Sequence, residues 1–163
     1  MSATEVKHLT TNDTQAAADF FIEQLDGTFT NSFPVEAILK AKQGFGAEQI
    51  AEFIESESRV MLGAFNKGEV KGIMFGSHLN GGVASVIWIA VSSDLRGEGI
   101  GRQLMQLTFD TYQKLGAHKL VLYTETLAAK KFYERIGMTQ EGFHPSHWWG
   151  VDHYCFGKQL GKP

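Results

Sequence analysis

The chain has 163 residues, 43% of them hydrophobic and 20% charged, and its formal net charge is −3. This length predicts a single domain, residues 1–163, with a sizeable core. The net charge and the scattered Lys and Arg residues favour neither a nucleic-acid nor a membrane partner. The chain has one cysteine, Cys155, and it shows neither a secretory signal over residues 1–14 nor an apolar run of roughly 20 residues. These features predict a cytoplasmic protein.

The N-terminal part of the chain predicts one short strand and then three helices. A strand candidate near Glu5–His8 precedes a first helix that runs to about Leu25. Pro34 suits the first turn of a second helix, because its missing N–H is not needed there. A third helix is predicted over Ala47–Glu55.

In the middle of the chain, the spacing of the hydrophobic residues changes from that of helices to that of β-strands. Val60–Phe65 and Val70–Leu79 are β-rich runs separated by Asn66-Lys67-Gly68, which is turn chemistry. A third run follows over Val83–Val91, and from Val86 onward it contains no polar residue. Such a run predicts a strand that is central in its sheet and buried on both faces.

A long helix and three further elements are predicted after this strand. The helix runs from Gly99 to about Lys114, and a strand over Leu120–Thr124, a helix over Ala128–Arg135 and a final strand over Tyr154–Leu160 follow. One apolar stripe of the long helix comprises Ile100, Leu104, Leu107, Thr111 and Leu115. The order of elements predicts an α/β fold of the α+β kind, with a central mixed, largely antiparallel sheet and helices on both faces.

The segment that joins the central strand to the long helix predicts an anion site. It ends in three alternate glycines, Gly97, Gly99 and Gly101. Without side chains, the backbone N–H groups at the helix start are unshielded, they lack intrahelical partners, and the helix dipole favours an anion there. Arg96 and Arg102 add positive charge, so the segment is interpreted as a pyrophosphate cradle.

Two other nucleotide-binding loops do not fit this segment. A P-loop requires Gly-Lys-Ser/Thr, which is absent, and a dinucleotide loop requires glycine at the position that Arg102 holds. A tight turn that binds nothing is the remaining alternative.

Two motifs resemble the GNAT superfamily, the Gcn5-related N-acetyltransferases. Val91-x-x-x-x-Arg96-Gly97-x-Gly99-Ile100-Gly101 resembles the acetyl-CoA signature of that family, and Ala129–Met138 resembles its Phe-Tyr helix. The resemblance covers about Arg59–Leu160, whereas the first fifty residues match only as generic helices. It implies a GNAT-like acyl-CoA N-acyltransferase fold and transfer of acetyl from acetyl-CoA to an amine within a ternary complex.

The resemblance also implies which residues bind acetyl-CoA. The backbone after Trp88 would pair with the pantetheine arm, beside a slot where two strands splay apart, and the N–H of Ile89 or Ala90 would polarise the acetyl carbonyl. At Thr126, where the family often has Asn, a hydroxyl can donate one hydrogen bond. The implied cofactor-binding residues are Ile89, Ala90, Val91, Arg96, Gly97, Glu98, Gly99, Ile100, Gly101, Arg102, Thr126, Ala129 and Phe132.

Proton transfer has one implied acid and several candidate bases. By resemblance, Tyr133 would protonate the departing thiolate, although its ring could also simply pack beside Phe132. The central strand carries no carboxylate, so Glu125 and Asp94 are the candidate bases. A relay through water to bulk solvent is equally open.

The segment His144–Tyr154 is rich in aromatic residues and histidines. Three histidines suggest zinc, but their spacing matches no common site and no cysteine pair supports one, so no metal is predicted. A packed hairpin and a substrate wall for an amine, by cation–π contact or as a proton acceptor, both remain open. The predicted substrate-binding residues are Phe29, Phe33, Trp88, His147 and Trp148.

Two other functions stay open beside acetyl transfer. A GNAT-fold module could bind acyl-CoA as a sensor without turnover, and an RNA- or ribosome-directed enzyme would require a basic groove that this chain lacks. The resemblance allows a homodimer, although no exposed stripe predicts one. The sequence does not specify the amine acceptor or the longest acyl group.

Overall fold

A seven-stranded sheet organises residues 3–162, which the structure, a computed structural model, describes. The strands are β1 Glu5–His8, β2 Met61–Asn66, β3 Glu69–Gly76, β4 Val83–Val91, β5 Lys119–Thr124, β6 Thr139–His144 and β7 His153–Gln159. Their spatial order is β1-β2-β3-β4-β5-β7-β6. Only β4 and β5 pair in parallel, which confirms the predicted mixed, largely antiparallel sheet.

Helices cover both faces of the sheet, as predicted. They are α1 Thr14–Asp26, α2 Val35–Gly44, α3 Ala47–Glu55, α4 Ile100–Lys114 and α5 Leu127–Arg135. Helices α1 to α3 share one core with alternate residues of β2 and β3, while α4 and α5 share the other with β4, β5 and β7. Among residues 3–162, no helix is both long and apolar enough to cross a membrane.

One strand at the edge of the sheet is absent from the predicted elements. Strand β6 pairs only with β7, and its side chains are almost all exposed. An exposed edge strand needs no apolar run, so the hydrophobic pattern carries no signal for it.

The buried face of α4 differs from the predicted stripe. Leu115 is 39% exposed, whereas Thr108 and Tyr112 are fully buried. Both polar residues satisfy their hydroxyls in place: Thr108 Oγ1 donates to the Leu104 carbonyl at 2.7 Å, and the Tyr112 hydroxyl donates to the Ser77 carbonyl at 2.7 Å. A hydrogen-bonded hydroxyl can be buried at little cost, and apolar periodicity does not detect it.

Strand β4 is central in the sheet, as predicted, but it is not buried on both faces. Ala84 and Val86 are buried, Ile87 is 40% exposed, and the remaining residues of the strand are partly exposed. The cause is the neighbouring strand, because β5 pairs with β4 only over Val83–Ser85. The second half of β4 therefore borders a gap, which positions the candidate site.

Candidate functional site

A slot opens between β4 and β5. Parallel pairing ends at Ser85 and Val121, so Val86–Val91 and Leu122–Thr124 diverge. The Ser92 N–H donates to the Lys71 carbonyl of β3 at 2.8 Å. Since backbone groups alternate along a strand, the Ala90 N–H also faces β3, whereas the N–H groups of Ile89 and Val91 face the slot. Two of the three predicted backbone positions therefore direct donors into the gap.

The glycine loop lies at the end of β4, where α4 begins. Gly97 and Gly99 have φ values of +84° and +80°, and Gly99 is the N-cap of α4. A Cβ at either residue would meet nothing within 4 Å, so glycine is required by the backbone conformation and not by crowding. Within residues 3–162, neither of their N–H groups has a backbone partner. The arrangement has the free donors that a pyrophosphate cradle needs.

Arginine and glutamate side chains surround this loop at the surface. Arg96, Glu98 and Arg102 are all exposed. Arg96 Nη2 donates to Thr28 Oγ1 at 3.1 Å, so this guanidinium also ties the loop to the segment that follows α1.

The two sequence motifs are in direct contact. A Cβ on Gly101 would lie 3.3 Å from the Phe132 ring of α5 and 4.0 Å from Val91. Gly101 therefore allows α5 to lie close to the start of α4, beside the slot. Any side chain at Gly101 would therefore press on the Phe132 ring of the Phe-Tyr helix.

Tyr133 is the one residue of α5 that is buried, with 5% of its surface exposed. Its ring packs against Phe132 and Phe156 at centroid distances of 5.1 and 5.8 Å. Burial, and secondarily the charge of Glu125, raise the pKa of Tyr133 well above its ordinary value. Tyr133 therefore keeps its proton at neutral pH and is available as a hydrogen-bond donor.

The two candidate carboxylates differ in environment. Asp94 is exposed, accepts a hydrogen bond from Ser92 Oγ, and lies 3.9 Å from Lys71 Nζ. The Ser92 hydrogen bond is the main reason that the pKa of Asp94 is lowered, which makes it a weaker base. Glu125 is partly buried beside Tyr133.

Thr126 caps the helix that carries Tyr133. Its Oγ1 accepts a hydrogen bond from the Ala129 N–H at 3.2 Å. The hydroxyl proton is not used by this contact, so Thr126 can still donate to a ligand. Ala129 itself packs partly against the core.

Aromatic side chains line the face of the slot that α1 and α2 cover. The Trp88 ring contacts Phe29 at 4.9 Å and Phe33 at 6.1 Å between centroids. Phe33 in turn lies 6.0 Å from His153, at the start of β7. The structure thus joins the two predicted walls through a histidine that the sequence analysis did not place among the site residues.

The connection between β6 and β7 completes this group. The rings of His147 and Trp148 stack at 4.7 Å, and Tyr123 of β5 lies 5.1 Å from His147 and 5.0 Å from Trp148. We call the whole group the aromatic wall: Phe29, Phe33, Trp88, Tyr123, His147, Trp148 and His153. The sequence analysis did not place Tyr123 in the site, because its position beside His147 and Trp148 depends on the β5–β7 pairing and not on any local motif.

The histidines of the wall are packed against one another. His144 and His153 lie 4.9 and 5.3 Å from His147 between ring centroids. Within residues 3–162, no three His, Cys, Asp or Glu side chains are placed to hold a metal ion. Burial, His153 and His144 lower the pKa of His147, which is therefore neutral at pH 7.

The loop that carries His147 and Trp148 is held in a constrained conformation. Ser146 and Trp149 have φ values of +47° and +60°, in the left-handed region that favours glycine. The Ser146 N–H donates to Asp152 Oδ1 at 2.8 Å, across the base of the loop. Strained backbone of this kind is typical of sites where side-chain position matters.

The split sheet, the glycine loop and the buried tyrosine together define a GNAT-like acyl-CoA N-acyltransferase fold. The profile of the Acetyltransferase (GNAT) family matches residues 10–138, and the chain belongs to that family. The match begins before α1, so the first helices are part of the family domain and not only generic helices. Family membership favours catalysis over a sensor without turnover.

Known proteins agree with this assignment. N-alpha-acetyltransferase 30 of Schizosaccharomyces pombe is 39% identical over 64 residues, which span 38% of this chain and 41% of that relative. PaiA N-acetyltransferase of Thermoplasma acidophilum, solved with coenzyme A, superimposes with a TM-score of 0.81 and 18% identity over 96% of this chain and 99% of its own. YncA of Salmonella typhimurium, solved with acetyl-CoA, superimposes with a TM-score of 0.80 and 16% identity. The match covers 99% of this chain and 96% of YncA. The two structures show the fold.

Proposed function

We propose that this chain, acting as one domain, transfers the acetyl group of acetyl-CoA to an amine by direct attack within a ternary complex. The observation that carries the proposal is the slot between β4 and β5, whose pairing ends after three residues. The glycine loop, the start of α5 and the aromatic wall all border that slot. A cytoplasmic location is part of the proposal, since Cys155 is a free thiol.

Acetyl-CoA fits the donors that border the slot. The glycine loop with Arg96 and Arg102 would hold the pyrophosphate, and Thr126 would donate to the pantetheine arm. The N–H groups of Ile89 and Val91 would pair with that arm as a neighbouring strand does. The Ile89 N–H is the proposed donor to the acetyl oxygen, a contact typically worth about 2.7–4 kcal/mol.

Tyr133 is the proposed general acid for the departing sulfur. It lies on α5, whose side chains pack against α4 and β7 on one face of the sheet. A phenol is protonated throughout the neutral range and can donate to the thiolate, while burial raises the pKa of Tyr133 and so makes it a weaker acid than a free tyrosine.

The aromatic wall is the proposed binding surface for the amine. Aromatic faces attract an ammonium group by about 0.5–2 kcal/mol each, and they exclude water from the attacking nitrogen. The relative from Schizosaccharomyces pombe is named for α-amino acetylation, so peptide N-termini belong among the acceptors to be tested, beside small amines.

Tyr133→Phe tests catalysis against the sensor alternative. We expect the rate of thiol release from acetyl-CoA to fall by about 10²–10⁴-fold, because the leaving thiolate loses its acid. Calorimetry should show acetyl-CoA affinity within about twofold of wild type, since the ring remains in place. The assay uses a panel of phenylethylamine, spermidine, glucosamine and a peptide with a free N-terminus.

Tyr154→Phe is the matched control. Tyr154 lies on β7, where its ring faces Lys130, so loss of its hydroxyl should leave the rate unchanged. Tight acetyl-CoA binding without turnover of any amine by the wild-type protein would favour the sensor and overturn the proposed activity.

A further inference from the structure

His153 is a buried histidine at the centre of the aromatic wall. Only 2% of its surface is exposed. Its ring contacts Phe33 of the N-terminal part and His147 and Trp148 of the β6–β7 connection. We infer that His153 is the general base that takes the proton from the acceptor amine. This inference rests on the proposed function and adds to it the group that no sequence motif specifies.

A backbone hydrogen bond holds the His153 ring in one tautomer. Nδ1 lies 2.9 Å from the Val151 carbonyl oxygen. A carbonyl can only accept, so Nδ1 carries the proton, and in the neutral ring Nε2 then has the free lone pair. Among residues 3–162, Nε2 has no hydrogen-bond partner. A fixed, unpaired imidazole nitrogen is the form that a general base requires.

A second orphan nitrogen lies in the same wall. His147 Nδ1 is buried and has no partner within the described residues. Buried polar atoms are nearly always hydrogen-bonded, so this orphan nitrogen, in the ring next to His153, points to a ligand that supplies a hydrogen-bond partner. An amine is such a ligand. His147 lies in the β6–β7 connection, whereas His153 lies on a strand and its ring is held by the Val151 carbonyl. We therefore assign the general base to His153.

The rings in contact with His153 belong to Phe33, His147 and Trp148, and none of the three bears a carboxylate or an ammonium group. From the β6–β7 connection, His147 is neutral because its pKa is lowered, and from β5, burial raises the pKa of Tyr123 above its ordinary value. His144 of β6 is opposite His153 in strand register, and the N-terminal part contributes the apolar Phe33. Within residues 3–162, no hydrogen bond or ion pair from an ammonium or carboxylate group occupies Nε2.

The proposed acid and base lie on opposite faces of the sheet. Tyr133 packs against Phe156, three residues after His153 on β7, and residues an odd number apart point to opposite faces of a strand. His153 instead contacts Phe33, which packs on Trp88. The slot passes between them, so each group can serve a different atom. Glu125 lies beside the acid, and Asp94 is held as a weak base, which leaves His153 best placed.

The step balances without any further reactant. The ammonium group held by the wall first loses one proton to solvent. The neutral amine nitrogen then attacks the thioester carbon, so that a C–N bond forms and the C–S bond breaks. The proton of the attacking nitrogen goes to His153 Nε2, and the Tyr133 hydroxyl protonates the sulfur. The resulting imidazolium then loses its proton to solvent and the phenolate regains one from solvent, which restores both groups. The products are an N-acetylated amine and coenzyme A, and no group is oxidised or reduced.

His153→Asn is the sharpest test, because the asparagine amide can still donate to the Val151 carbonyl while the base is lost. With the best acceptor of the amine panel, we expect kcat/KM, calculated for the unprotonated amine, to fall by about 10²–10⁴-fold and its acidic limb to disappear from the pH profile. With O-methylhydroxylamine, whose attacking nitrogen is weakly basic and loses its proton readily to water, the loss should shrink to less than about tenfold. A purely structural role would lower both rates equally.

His144→Asn, which lies outside the aromatic wall, is the matched histidine control, and it should keep the acidic limb. Independently of turnover, ¹⁵N NMR of the wild-type protein should show His153 protonated at Nδ1 and not at Nε2. The inference is overturned if His153→Asn retains the acidic limb, if the control loses it instead, or if Nε2 carries the proton. Absence of turnover in the wild-type protein would overturn the proposed function itself, and this inference with it.

Discussion

At the scale of single residues, the three glycines of the loop have different tasks. Gly97 and Gly99 adopt left-handed backbone conformations in open space, so they shape the turn. Gly101 has no such conformation, but any side chain there would press on Phe132. One apparently uniform motif therefore combines a conformational requirement with a packing requirement.

Gly99→Asp tests whether the glycine loop binds an anion. The substitution strains the backbone by roughly 1–2 kcal/mol and places a negative charge at the start of α4. We expect acetyl-CoA affinity, measured by calorimetry, to fall by more than about tenfold while the protein still folds. Retention of full affinity would contradict the cradle.

Gly116→Asp supplies the matched control for that experiment. Gly116 has a φ of +92°, a Cβ added there would also meet nothing within 4 Å, and the residue follows the opposite end of the same helix. At a rise of about 1.5 Å per residue, the added charge lies roughly 20 Å from the loop. Stability should fall at least as far as in Gly99→Asp, because a negative charge at the C-terminal end of the helix opposes its dipole, but affinity for acetyl-CoA should not change.

At the scale of elements, the decisive feature is the early end of β4–β5 pairing. Three register pairs hold the strands together, and beyond them the two chains diverge. The result is a central strand with unpaired backbone donors inside a folded sheet, a position where another strand would normally lie. The unpaired backbone of β4 beyond Ser85 therefore marks the candidate site.

Amide hydrogen exchange tests this arrangement residue by residue. The N–H groups of Ile89 and Val91 should exchange rapidly in the free protein and become protected when acetyl-CoA is added, because the pantetheine arm then pairs with them. The N–H of Ala90 faces β3 and should be protected in both states. Equal behaviour of the three amides, followed by NMR, would refute the predicted alternation.

At the scale of the whole molecule, the site joins parts that are distant in the chain. Phe33, Trp88 and His153 are in contact although long stretches of sequence separate them. The cofactor residues likewise come from β4, α4 and α5. Binding should therefore stabilise the complete fold and not one segment.

Chemical denaturation measures that linkage. At acetyl-CoA concentrations near 100 times the dissociation constant, the free energy of unfolding should rise by about 2.7 kcal/mol, because the ligand binds only the folded chain. At the same concentration, Gly99→Asp should show a clearly smaller rise. An equal rise in both proteins would mean that acetyl-CoA binds elsewhere.

Local patterns predicted most of the fold correctly. The bounds of α3 are as predicted, the meander ends in a central strand, and helices cover both faces of the sheet. Two errors share one cause, since hydrophobic periodicity reports apolar side chains only. It therefore missed the exposed edge strand β6 and the hydrogen-bonded burial of Thr108 and Tyr112 on α4.

The sequence by itself determined the family, because the glycine loop and the Phe-Tyr helix are local motifs whose chemistry depends on neighbouring residues. Only the tertiary structure decided which face of β4 is open, how Gly101 meets Phe132, and that His153 lies against Phe33. Those relations depend on strand register and on where β5 leaves β4. Register is set by the packing of distant residues, so no local pattern could specify it.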